Sequence, residues 1–149
     1  MTRLDAGLAV RVSELAAGTV RADIAVGGIG RPRALRSRLQ QAMTELGVEL
    51  YRRPDIRRAV VVVGGCPALP HARLAGLVLA LAEGLHARSE MLRGCPLALA
   101  VVLADDTDDD DLSARLCADA LAVPTGVSAM TAAEVCAHGI RACAAASRI

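Results

Sequence analysis

The sequence contains no phenylalanine, tryptophan, lysine or asparagine, and Tyr51 is its single aromatic residue. A core built without aromatics has to be packed from alanine, leucine and valine. The same absence leaves no platform on which unpaired bases could stack. All 17 basic residues are arginine, a skew that suggests GC-rich coding bias before any chemical need. They are nearly balanced by 16 acidic residues, so a net charge of +1 supplies no global field to draw in nucleic acid, which is not expected as a partner. The five cysteines, Cys66, Cys95, Cys117, Cys136 and Cys143, include no CxxC pair, and no signal peptide opens the chain. They read as reduced thiols of a cytoplasmic protein. A metal site would need His71, His86 or His138 to converge with them, and none is expected. Gly76, Glu83 and Gly84 interrupt the longest apolar run, residues 74–85, which is too short to span a bilayer.

What is present is enough for one domain, residues 1–149, with 54% hydrophobic and 22% charged residues. Residues 8–12 and 20–26 are extended and flank a turn at Ala17, Gly18 and Thr19, which predicts a hairpin. Pro32 then opens a helix running to about residue 53. Leu35, Leu39, Ala42, Met43, Leu46 and Leu50 give it one apolar stripe. Residues 56–63 and 97–103 read as strands buried on both faces, of the kind found inside parallel sheets. A helix over residues 70–92 separates them. Helices over 112–121 and 131–146 follow, with 120–123 a candidate extended segment between them. Strands alternating with helices predict an α/β layer fold.

Residue chemistry alone leaves the function unassigned. GGIGRP lacks the GxGxxG spacing of a dinucleotide loop. VVLADD is similar to the strand end of a phosphoacceptor domain, but such a site needs the lysine that this chain lacks. The acidic stretch over residues 105–111 has neither the spacing nor the central glycine of a calcium loop. Acidic residues placed just before a helix favour its positive end with no ion involved. His71 follows Pro70 at a helix start, with no partner acid in the local sequence. Glu134 lies in an apolar helix, where a carboxylate can acquire a raised pKa suited to proton transfer, although such residues more often face solvent.

Taken in order, several segments resemble the crotonase superfamily, the enoyl-CoA hydratase and isomerase fold. ADIAVGGIGRPRAL is similar to that family's hairpin strand, Arg-Pro turn and first helix start. AMTELGVELYRRPDIRRAVVVVGG follows its helix, loop and strand, and is the most specific part. CPALPHARLAGL falls on the first oxyanion segment, usually an Ala-Phe-small-Ala-Gly-small-Asp-Leu run. CPLALAVVLADD corresponds to the next buried strand, and DDDDLSARLCADALAV to the Gly-rich helix start after it. AMTAAEVCAHGIRACAAASRI matches the Phe-Gly-x-Pro-Glu segment and the stretch ending in Gln-Arg-Leu, with Ser147, Arg148 and Ile149 on the last three. The likeness covers about residues 20–149. Family members are longer, and their C-terminal helices, which cover the acyl pocket and build trimers, have no counterpart here.

The resemblance implies a partial crotonase-like ββα spiral, with buried parallel strands flanked by helices. The family stabilises a thioester enolate with two backbone N–H donors. Here the first donor position falls on Pro70, which has no N–H. A register slip of one residue would bring His71 there instead. The second falls near Asp110, where an acidic run would repel an enolate and the CoA phosphates. The first catalytic glutamate of hydratases maps to Ser113, which leaves Glu134 as the remaining acid or base. Leu69 and Met130 replace the family's phenylalanines. The resemblance thus implies an accessory or non-catalytic protein of acyl-thioester metabolism, of fatty-acid or polyketide type. The alternative is an atypical hydratase or isomerase acting through Glu134. Neither needs a cofactor beyond a CoA or carrier-protein thioester as ligand. A homo-oligomer or a partner biosynthetic enzyme is expected to cover apolar surface.

Overall fold

Extended, β-branched and small residues near the N-terminus fold back on themselves as a hairpin, β1 (Val10–Ala16) and β2 (Thr19–Ala25), paired antiparallel with Val10 opposite Ile24. The computed structural model describes residues 9–64 and 70–146. After the hairpin come α1 (Pro32–Arg52), β3 (Arg58–Gly64), α2 (His71–Arg93), β4 (Ala98–Leu103), α3 (Asp109–Ala118), β5 (Gly126–Thr131), α4 (Ala132–His138) and α5 (Ile140–Ala146). Cys66, Leu69, Ser147, Arg148, Ile149 and the His71 side chain lie outside the described residues.

The five strands form one mixed sheet in the order β1-β2-β3-β4-β5, with every pair after the first parallel. Ala22, Val61, Val101 and Ala129 are in register across β2 to β5. Because side chains alternate across a strand, each sheet face collects its own set. Val20, Ala22, Ile24, Ala59, Val61, Val63, Leu99, Val101 and Leu103 pack under α1 and α2. Val60, Val62, Ala98, Ala100, Val102 and Met130 pack against α3, α4 and α5. All six residues of β4 are buried, as the unbroken apolar run predicts. The predicted stripe on α1 is buried in full. The core carries no aromatic side chain among the described residues, and Tyr51 is 62% exposed.

Strand order advances in one direction from β2 to β5, yet α1 and α2 lie on one face and α3 on the other. The hand of a crossover is set by its direction of travel and the face it uses, so β4–α3–β5 has the hand opposite to β2–α1–β3 and β3–α2–β4. About 98% of such connections are right-handed, so the two hands side by side are unusual. Their consequence is local. The helices that follow β3 and β4 therefore start on opposite faces of the sheet, at the carboxyl ends of those strands.

Three sequence expectations need correction. Residues 120–123 are not a strand; they turn, with the Ala122 N–H bonded to Asp119 O at 2.9 Å, and β5 starts only after Pro124. Proline has no donor for the ladder and delays pairing. Helix α3 begins at Asp109, because Asp108 caps it through its side chain. The helix over 131–146 is two helices parted at Gly139, whose φ of 86° and ψ of 159° no L side chain adopts cheaply. Asp119 secures that break, accepting from the Ile140 N–H at 3.1 Å and from Arg115 Nε at 3.0 Å.

A Cβ on residue 139 would also come within 2.5 Å of Arg115 Nη2. Gly139→Ala is therefore expected to lower unfolding free energy by about 2–3 kcal/mol, read by urea denaturation, with the cost falling when Arg115 is shortened to alanine in the same chain.

Candidate functional site at the carboxyl ends of β3 and β4

Two backbone hydrogen bonds knit the carboxyl ends of β2, β3 and β4. Val26 N–H donates to Gly64 O at 2.8 Å and Ala104 N–H to Val63 O at 2.9 Å. On the β3 side, Pro70 is the N-cap of α2, with φ −55° and ψ 148° and no side-chain cap. Its ring removes a donor at the point where the chain enters the helix. The N–H of His71 is among the first-turn donors that have no carbonyl partner within the helix.

On the β4 side the acidic stretch is largely committed to structure. Asp105 Oδ1 accepts from Thr107 N–H at 2.9 Å and Oδ2 from Ala133 N–H at 3.1 Å, so one carboxylate ties the β4–α3 loop to the start of α4. Partial desolvation works to raise its pKa, but the bonds from Thr107 and Ala133 outweigh it and hold the carboxyl below the ordinary value. Asp108 Oδ1 accepts from the N–H groups of Asp110 at 2.8 Å and Asp111 at 3.2 Å. The backbone N–H of Asp110 is thus already engaged. Asp109 reaches across to Arg21 Nη2 at 3.3 Å.

Glu134 and Ser113 are also engaged. Thr131 and Glu134 form a capping box at the start of α4. Glu134 Oε1 accepts from Thr131 N–H at 3.2 Å and Oγ1 at 2.9 Å, while Thr131 Oγ1 accepts from Glu134 N–H at 3.2 Å. The side chain is exposed, the alternative that the sequence favoured. Ser113 Oγ accepts from Arg21 Nη1 at 2.9 Å, and Arg21 Nε donates to both Asp23 oxygens at 3.0 and 3.1 Å. Ser113 therefore belongs to a network centred on β2, separate from the one that holds Glu134. Asp105, not predicted individually, joins the loop after β4 to α4. Arg21 and Asp23 were missed as well, although their alternation with Val20, Ala22 and Ile24 marks them as one polar strand face.

Other reactive residues stand apart. His86 Nε2 lies 2.8 Å from Leu97 O and 3.3 Å from Glu90 Oε2, at the far end of α2. Burial pushes the thiols of Cys136 and Cys143 up, with Asp111 and Asp105 adding to the effect at Cys136 and Glu134 at Cys143. Among the described residues no three His, Cys, Asp or Glu side chains are grouped to hold a metal ion, and no helix is long and apolar enough to cross a membrane. The chain matches no family model, no curated protein and no solved structure.

The bracket made by Asp105 has a pH signature. Its folded carboxyl loses its proton at lower pH than the unfolded one, so the stabilisation is present above the unfolded pKa and disappears as pH falls through the folded value. Asp105→Asn is expected to flatten the acid limb of stability below the ordinary carboxylate range and change little at pH 7 beyond a constant offset, as measured by urea titrations between about pH 7 and 3.

Proposed function

We propose that the chain is a crotonase-like domain, a partial ββα spiral of the enoyl-CoA hydratase and isomerase type, that acts in the cytoplasm as a non-catalytic accessory in acyl-thioester metabolism. One observation carries the non-catalytic part: in the direct register of the resemblance neither oxyanion position has an N–H to give, and only a one-residue slip would place the N–H of His71 at the first. Pro70 has none, and that of Asp110 is bonded to the Asp108 carboxylate. Losing one donor of an oxyanion hole costs about a hundred- to a thousandfold in rate, and here both are compromised together. The remaining acid or base, Glu134, has one carboxylate oxygen in a capping box and a structural reason to be present without any chemistry.

The order hairpin, helix, strand, helix, strand, with buried parallel strands and flanking helices, supports the crotonase-like reading. Fold alone does not establish activity. The accessory reading further takes the domain to act through a second copy or through a partner biosynthetic enzyme.

Incubation with a panel of enoyl- and 3-hydroxyacyl-CoA thioesters tests this reading. The expected result is no turnover above buffer for the wild-type chain or for Glu134→Gln. Hydration or isomerisation that disappears in Glu134→Gln would overturn the accessory reading and establish an atypical enzyme that uses Glu134 for proton transfer.

A further inference from the structure

Helices α1 and α2 lie side by side on one face of the sheet, and their outer surfaces form an open groove of about 840 Å³. That volume is within the range of about 300–1,000 Å³ usual for small-molecule sites. Met43 and Leu81 belong to its apolar walls, together with Val48, Tyr51 and Leu92. The last three are 47%, 62% and 66% exposed. Among the described residues only two other large hydrophobics, Met91 and Leu121, are so exposed, so three of the five line this groove.

Charge is distributed unevenly along it. Toward the start of the groove, Gln40, Thr44 and Ala80 are uncharged; toward the helix C-termini stand Arg52, Arg88 and Arg93, and no acidic side chain lines any part. Among the described residues neither Arg52 nor Arg88 makes an ion pair. Arg93 Nη2 donates to the carbonyls of Pro54 and Ile56, while its Nε and Nη1 are buried with no partner, so its positive charge has no counter-anion. Two helix C-termini supply roughly half a negative charge each, which three guanidinium groups exceed. An apolar trough with excess positive charge at one end complements a molecule that has an apolar tail and one anionic head.

We infer that the α1–α2 groove binds a single-chain aliphatic carboxylate, with its head at Arg52 and Arg88 and its tail running toward Met43 and Ala80. This site is independent of the candidate site at the carboxyl ends of β3 and β4 and of the function proposed for it.

Calorimetric titration of the full chain with dodecanoate, below its micelle concentration, tests the inference, with amide chemical-shift mapping to locate the site. Saturable 1:1 binding is expected, with shifts confined to α1 and α2. Arg88→Gln, a surface change, should weaken it about tenfold. Ala80→Trp, which fills the trough from an exposed position, should abolish it with the circular dichroism of the chain unchanged. Absence of saturable binding, equal affinity for dodecyltrimethylammonium, or shifts that map elsewhere would each overturn the assignment. So would concentration-dependent shifts at the groove before any dodecanoate is added, because a second copy would then be its occupant. Should Ala80→Trp fail to fold, the Arg88→Gln titration and the cationic control still decide the matter.

Discussion

Burying β3 and β4 on both faces is the constraint from which the remaining architecture follows. A strand covered on both sides cannot alternate polar with apolar residues, and β3 and β4 consist almost wholly of valine, alanine and leucine. Helices are therefore needed above and below the sheet. The chain supplies them by sending α1 and α2 to one face and α3, α4 and α5 to the other. Strand order never reverses, so this division forces a change of crossover hand at β4. The same change sets the starts of α2 and α3 on opposite faces at the carboxyl ends of β3 and β4.

Small side chains make this packing feasible. With no aromatic side chain to fill gaps, helix and sheet layers have to approach closely. Gly47 shows how: a Cβ there would meet Leu85 Cδ1 at 3.2 Å, tighter than ordinary contact, so the glycine lets α1 and α2 close on each other. On the outer side of the same helix pair Val48 and Tyr51 line the groove and stay exposed. The aromatic-poor composition thus shapes the interior and also leaves the one tyrosine outside it.

Those parts of the fold that depend on periodicity were legible in the sequence. The α1 stripe, the two-sided strands and the hairpin follow from spacing alone, and the acidic stretch stands at the positive end of α3 with Asp108 as its cap. What escaped was set by single residues against the local trend. Gly139 parts an alanine-rich run that otherwise favours one continuous helix, and it can do so because Asp119, twenty residues earlier, accepts from the Ile140 N–H. No local pattern carries such a contact. The Arg21 network likewise joins β2 to α3 across 92 residues, and only the alternation within β2 hinted at it. The roles of Ser113 and Glu134 were obscured for the same reason, since a hydroxyl or carboxylate bound to a structural partner reads in sequence like one left free for chemistry.

Helices that return between parallel strands run opposite to them, so the C-termini of α1 and α2 lie at the amino ends of the strands while Pro70 and the aspartate-rich loop lie at the carboxyl ends. A six-residue strand such as β4 spans about 20 Å, which separates the two places by the thickness of the sheet along its strands. At that distance, with no shared side chain among those named, substitutions at the two sites should act additively on stability. The loop before α3 is rich in aspartates, whereas the groove is lined by arginines and no acid. A net charge of +1 conceals this local contrast, which belongs to those two linings and not to the ends of the sheet as a whole, since Arg31 and Arg33 stand at the start of α1 and Glu90 near the end of α2. An anionic ligand would accordingly be held by the arginine end of the groove and disfavoured at the aspartate-rich loop.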